Sequence, residues 1–172
     1  MKADFDCGGI VGVNYLSGEP VSHIEDGRTF VAKSIGSNFN LANFFRAQIY
    51  STMATLKIGM EILEKENVKI DRITGHGGLF KTPVVGQKLL AGALNAPVSV
   101  METAGEGGAW GVAILAKFMI SSKGESLNEY LENEVFSRYK SSVENPSKED
   151  VEGFAKYMQT YKKALNIEKT AI

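Results

Sequence analysis

The chain has 172 residues, 44% hydrophobic and 23% charged, enough for one ordinary domain or two very small ones. A chain of this length buries roughly two-thirds of the surface it exposes when unfolded. Nineteen Lys and Arg against twenty Asp and Glu leave a net charge of -1. That removes the positive field on which nucleic-acid binding depends. The single cysteine, Cys7, has no intramolecular partner and fits a reducing cytoplasm. No apolar run reaches membrane-spanning length, and the start Met1-Lys2-Ala3-Asp4-Phe5-Asp6 is too polar and acidic for a signal peptide. These features predict a cytoplasmic location, with no membrane and no nucleic acid among the partners.

In chain order, Ile10, Val11, Val13, Tyr15 and Leu16 read as extended and Ser17-Gly18-Glu19-Pro20 as a turn. Thr29-Phe30-Val31-Ala32, after Asp26-Gly27, gives a second β run, so the pair forms either a hairpin or two irregular strands. From Asn40 to about Lys65, Leu41, Phe44, Phe45, Ile49, Met53, Leu56, Met60 and Leu63 recur at helical steps, with Asn38 or Asn40 as N-cap. Val68–Thr74 is a strand candidate that runs into Gly75-His76-Gly77-Gly78. Thr82 as N-cap and Pro83 at the first helical position then open a helix through Leu94. Pro97–Met101 is a strand, and Thr103 with Glu106 forms a capping box before a small-residue helix to about Ser121. Ser126 with Glu129 and Ser147 with Asp150 open two more helices, the last carrying Val151, Phe154, Met158, Tyr161 and Leu165. Strand, glycine loop, helix, repeated twice, indicates an α/β layer with mainly parallel strands. One domain over 1–172 is expected, with 166–172 a frayed tail.

Glycines at 75, 77 and 78 let backbone N–H groups approach an anionic or planar ligand at the end of a strand. The same residues also suit a tight strand-to-helix turn that holds nothing. The second loop, Thr103–Gly111, lacks the third glycine of a dinucleotide fingerprint because Trp110 stands there, and its small residues equally suit close helix packing. No GxxxxGK[ST] sequence occurs, which excludes a P-loop NTPase. His23 and His76 have no ligand partners at metal-binding spacing, so no metal site is predicted. Cys7 has no activating neighbour and reads as an inert thiol. Arg46, set among apolar residues, is either a surface arginine or the partner of a carboxylate such as Glu19.

The order of these segments resembles the C-terminal domain of the FGGY family of carbohydrate kinases, in a xylulokinase-like branch. Asn14-Tyr15-Leu16-Ser17-Gly18-Glu19-Pro20 is similar to the family's P-Y-L-S-G-E-R segment, and Arg46-Ala47 to the R-A pair of its long helix, although Tyr50 and Ser51 stand where E-G is commoner. Gly77-Gly78-Leu79-Phe80-Lys81-Thr82-Pro83, with Gln87, resembles the adenosine-site pattern G-G-G-A-K-[NS]-P-x-x-x-Q at the same spacing. Leu79 and Phe80 depart from its third glycine and alanine. Pro97-Val98 and Ala109–Ala116 are similar to the closing P-V and A-L-G-A-A-L-L-A segments.

The resemblance implies one actin-like, ribonuclease-H-like domain, the C-terminal half of a two-domain ATP-dependent sugar kinase. It implies ATP or ADP bound by Gly77, Gly78, Leu79, Phe80, Lys81, Thr82 and Gln87, with Thr103, Gly105 and Glu106 flanking the adenine. The catalytic aspartate, the phosphate loops and most Mg²⁺ ligands are expected in an N-terminal domain that this chain lacks. No catalytic residue is therefore assigned here, and the chain is expected to bind ATP but phosphorylate nothing alone. The implied acceptor is a pentulose such as xylulose. The alternative is a non-catalytic binding or oligomerisation module of the same fold, with the long helix carrying a homodimer contact.

Overall fold

The computed structural model describes residues 2–170, except the side chain of Glu106. Strand β1 (Ile10–Asn14) pairs antiparallel with β2 (Thr29–Lys33), in a register running from Ile10 opposite Lys33 to Asn14 opposite Thr29. The connection is too long for a tight hairpin. It contains a 3-10 turn at Pro20–Ser22, and the Glu19 carboxylate accepts the Ser22 N–H at 2.9 Å. β1 is buried almost throughout and touches both long helices, whereas β2 alternates half-buried and exposed positions.

Helix α1 (Leu41–Lys65) begins where expected. Of the two candidate caps it uses Asn40, whose side chain accepts the Asn43 N–H at 3.0 Å. Asn43, Ala47, Tyr50, Ser51 and Ala54 form its buried stripe at helical spacing. The fully buried Asn43 amide is satisfied: it donates to Asp4 Oδ2 at 2.9 Å and to the Asn38 carbonyl at 2.8 Å, and accepts the Asp4 N–H at 2.7 Å.

The second sheet carries the glycine loop. β3 (Ile73–Gly75) runs parallel to β4 (Val98–Met101), with α2 (Val85–Leu94) as the crossover. β5 (Ser141–Glu144), which the sequence pattern does not predict, adds antiparallel on the other edge of β4. β3 is shorter than the Val68–Thr74 run, because residues 68–72 form a loop after the turn at Asn67. α2 starts later than expected: Thr82 is extended and caps nothing, because Val84 turns to φ 71° and its carbonyl accepts the Lys88 N–H at 2.9 Å. Asn95, in the left-handed region, ends the helix.

A short 3-10 turn over Ala104–Glu106 precedes α3 (Gly107–Ser121). The expected capping box is not formed: the Thr103 hydroxyl makes no capping hydrogen bond, and the Glu106 side chain lies outside the described residues. Ser126 and Glu129 do form a capping box, at the start of α4 (Leu127–Tyr130). In α5 (Lys148–Thr170), Ser147 accepts the Asp150 N–H at 3.1 Å. This helix buries Phe154, Tyr157, Met158, Tyr161 and Leu165, and continues to Thr170 through the segment expected to fray. Glu168 there is fully buried and accepts the Arg28 N–H. Residues 171 and 172 lie outside the described range.

The core sits between β1, α1, α2 and α5. Tyr161 donates to the Tyr15 hydroxyl at 3.0 Å, and Tyr15 also bonds Ser22 and Thr55 at 2.6 and 2.8 Å. Arg46 does find a carboxylate, but it is Asp150 at 2.5 Å rather than Glu19, and the pair ties α1 to the first turn of α5. Cys7 is fully buried, and burial pushes its thiol up to about 12, which leaves it unreactive. Among the described residues no helix is long and apolar enough to cross a membrane.

Candidate functional site

The site grows from the end of β3. Gly75 closes the strand with the Phe80 ring packed against it, since a Cβ on Gly75 would lie 2.4 Å from Cζ of that ring. This is why a bulky residue is accommodated where the family pattern has alanine: Phe80 folds back onto the strand and leaves the loop open. Gly77 follows with φ 100° and ψ -174°, a region essentially confined to glycine. Its N–H bonds the Ala104 carbonyl at 2.8 Å, and its carbonyl accepts the Phe80 N–H at 3.1 Å. A 3-10 turn over Gly78–Lys81 then leads towards α2.

A Cβ at Gly77 or at Gly78 would meet nothing within 4 Å. The main chain there is bare and faces open space. Gly77 is explained by its backbone angles. Gly78 is not in the left-handed region and has no neighbour to avoid, so nothing in the fold demands glycine at that position.

Beside this loop lies a cleft of about 660 Å³, within the range of small-molecule sites. Four of the expected residues, Phe80, Lys81, Gln87 and Gly105, line it. Gly77, Gly78, Leu79, Thr82 and Thr103 do not, although the Ala104 carbonyl that anchors Gly77 belongs to its wall. The Lys81 stem passes Gly105, where a Cβ would lie 3.4 Å from its Cγ and Cε. Leu79 is exposed, and its carbonyl packs against Gly86 at the start of α2.

Gln87 is buried, and its amide is engaged within the protein. Nε2 donates to the Val98 and Ser142 carbonyls at 3.3 and 3.2 Å, and Oε1 accepts the Ser142 hydroxyl at 3.1 Å. From the cleft wall it ties α2 to β4 and β5. The Thr103 hydroxyl is buried without a hydrogen-bond partner.

The sequence reading missed the far wall, made by Glu102, Lys140, Ser141 and Ser142. These residues arrive on the unpredicted strand β5 and at the end of β4. Glu102 and Lys140 carry only charge as a signal and the two serines carry none, and without the strand nothing in the sequence brings them together. Among the described residues no three His, Cys, Asp or Glu side chains converge as a metal cage.

The profile of the FGGY family of carbohydrate kinases, C-terminal domain, matches residues 1–120. The chain belongs to this family. No curated protein matches it. Among solved structures, it resembles the gluconate kinase from Lactobacillus acidophilus, with 96% of this chain covering 32% of that one at 19% identity and TM-score 0.71. The ligand-bound xylulose kinase from the same organism gives the same coverage, identity and TM-score. Glycerol kinase from Plasmodium falciparum with ADP matches 95% of this chain and 31% of its own at 18% identity and TM-score 0.64. The mixed α/β architecture is thus that of the actin-like, ribonuclease-H-like domain of these enzymes. This chain spans about a third of the length of the kinases it matches.

Proposed function

We propose that the chain is the nucleotide-holding part of an ATP-dependent sugar kinase, with ribose and α-phosphate of ATP or ADP lying on the main chain of Gly77 and Gly78. The observation that carries this reading is the uncluttered glycine at position 78, which the fold itself does not need. A bare main chain lets phosphate oxygens approach N–H groups directly, where any Cβ would stand in the way. The adjacent cleft has an apolar wall from Phe80 and two cations, Lys81 and Lys140, among its lining residues. Lys81 borders the nucleotide in this reading, and Gln87 acts indirectly by holding α2 on the sheet. The family match and the ADP in the glycerol kinase relative point to the same ligand.

Phosphoryl transfer further requires a base for the sugar hydroxyl, and cations and donors around the β- and γ-phosphates. In this proposal the base, the phosphate loops and most Mg²⁺ ligands come from another polypeptide segment. The acceptor is a sugar, with a pentulose such as xylulose favoured by the xylulose kinase among the similar structures. The expected outcome is saturable binding of ATP and ADP in a calorimetric titration, together with no phosphorylation of xylulose in a coupled assay. Turnover by this chain alone would refute the division of labour.

A further inference from the structure

Two adjacent lysines of α5 are used differently. Lys162 pairs with Glu61 at 2.6 Å, whereas Lys163, about 100° further round the helix axis, makes no ion pair. Thr160, Lys163, Ala164 and Ile167 share one face at helical spacing and line a cleft of about 220 Å³ between α5 and the β1–β2 pair. Val11 and Ala32, opposite each other in the strand register, form its apolar floor, and Lys33 and Ser34 its far side. The small side chains of Ala32 and Ala164 leave the space between sheet and helix unfilled.

The charge of this cleft is one-sided. Lys33 also makes no ion pair, and its ammonium lies over the Phe39 ring at 5.6 Å from the centroid. No Asp or Glu lines the cleft, whereas the grooves beside Glu61 and beside Glu134 mix both signs. Two uncompensated ammonium groups on one small cleft repel each other, and a bound anion removes that repulsion. Hydroxyls stand ready as further donors. Ser34 and Thr160 are in the lining, and a Cβ on Gly9, another wall residue, would lie 3.3 Å from Ser34 Oγ and 3.4 Å from Ser37 Cβ. Ser37 Oγ itself is buried without a hydrogen-bond partner, a state that native proteins rarely leave unrelieved.

We propose that this cleft binds a small phosphate monoester. Lys33 and Lys163 neutralise the phosphate, Ser34 and Thr160 donate to its oxygens, and a short carbon chain lies on Val11, Ala32 and Ala164. A phosphate monoester carries close to two negative charges at neutral pH, one for each lysine, whereas a single carboxylate would leave one ammonium uncompensated. The volume is below that of clefts that hold drug-sized ligands, so it admits a phosphate with a few carbons and not a nucleotide. None of these residues lines the cleft beside Gly77 and Gly78, and the inference does not rest on the kinase reading.

The test is a calorimetric titration of glycerol 3-phosphate into the full chain, with the amide resonances of Gly9 and Ser34 followed by NMR. Saturable binding that moves both resonances is expected. Lys33→Gln and Lys163→Gln, both at exposed positions, should each weaken it about tenfold, the loss of one charge-assisted hydrogen bond, while the melting curves stay unchanged. Gly78→Val should leave it as it is. No binding by the folded chain, equal affinity in the lysine variants, or unmoved Gly9 and Ser34 resonances would each overturn the proposal. So would weakening by Gly78→Val alone, which would put the phosphate on the glycine loop. An ATP titration of Lys163→Gln keeps the two sites apart: absence of ATP binding would count against the nucleotide seat and leave this site standing.

Discussion

Two neighbouring glycines in this chain have different reasons to be there, and substitution separates them. Gly77 is held at φ 100° with its N–H bonded to Ala104. Gly77→Ala should therefore cost about 1–3 kcal/mol through backbone strain, read as a lower midpoint in denaturant titration. Gly78 carries no such constraint, so its substitution should leave stability alone. Buried hydroxyl and thiol groups supply a separate test. Burial pushes both Cys7, ordinarily at 9.0, and Tyr50, ordinarily at 10.0, up to about 12. The folded state then holds protons that the unfolded chain releases, so the contribution of these two groups is fully present below pH 9 and is lost as pH rises from their ordinary values towards about 12. Thermal melts between pH 8 and 11 should show this decline. Tyr50→Phe should make it shallower above pH 10, and an unchanged slope would contradict the assignment.

At the scale of elements, the long helices were legible because their apolar spacing and polar caps agree, as in the Asn40 cap of α1 and the Ser147 cap of α5. The glycine loop after β3 was legible for the same reason of local chemistry. β5 was not, since Ser141-Ser142-Val143-Glu144 has three exposed positions and its pairing comes from β4 rather than from its own pattern. The start of α2 was misplaced because Thr82-Pro83 has the composition of a cap, whereas tertiary packing of Gly86 on the Leu79 carbonyl sets the first turn later. That shift leaves Val84, a β-branched residue, at φ 71°. Left-handed backbone costs such a residue roughly 1–2 kcal/mol. Val84→Gly should consequently be neutral or raise the melting temperature, although glycine before a helix normally adds unfolded-state entropy. A marked loss of stability would show that the turn is not strained. Gln87 illustrates the limit of motif reading: the pattern places it in the site, yet its amide bridges Val98 and Ser142.

For the whole molecule, the closed core around β1, α1, α2 and α5 contrasts with the open corner formed by β3 and α3. The first is self-sufficient. The second presents a cleft of about 660 Å³, a bare main chain at Gly77 and Gly78 and uncovered apolar surface on α3. Family membership was legible from the order of several short segments, each weak alone, while the cleft wall and the uncovered helix face needed the tertiary structure. The most direct measurement is a paired calorimetric titration of ATP into the native chain and into Gly78→Val, with melting curves for both. The account predicts saturable binding by the native chain, at least tenfold weaker binding by the variant, an energy of about 1.4 kcal/mol, and superimposable melts. Equal affinities, or no binding by a folded native chain, would contradict it.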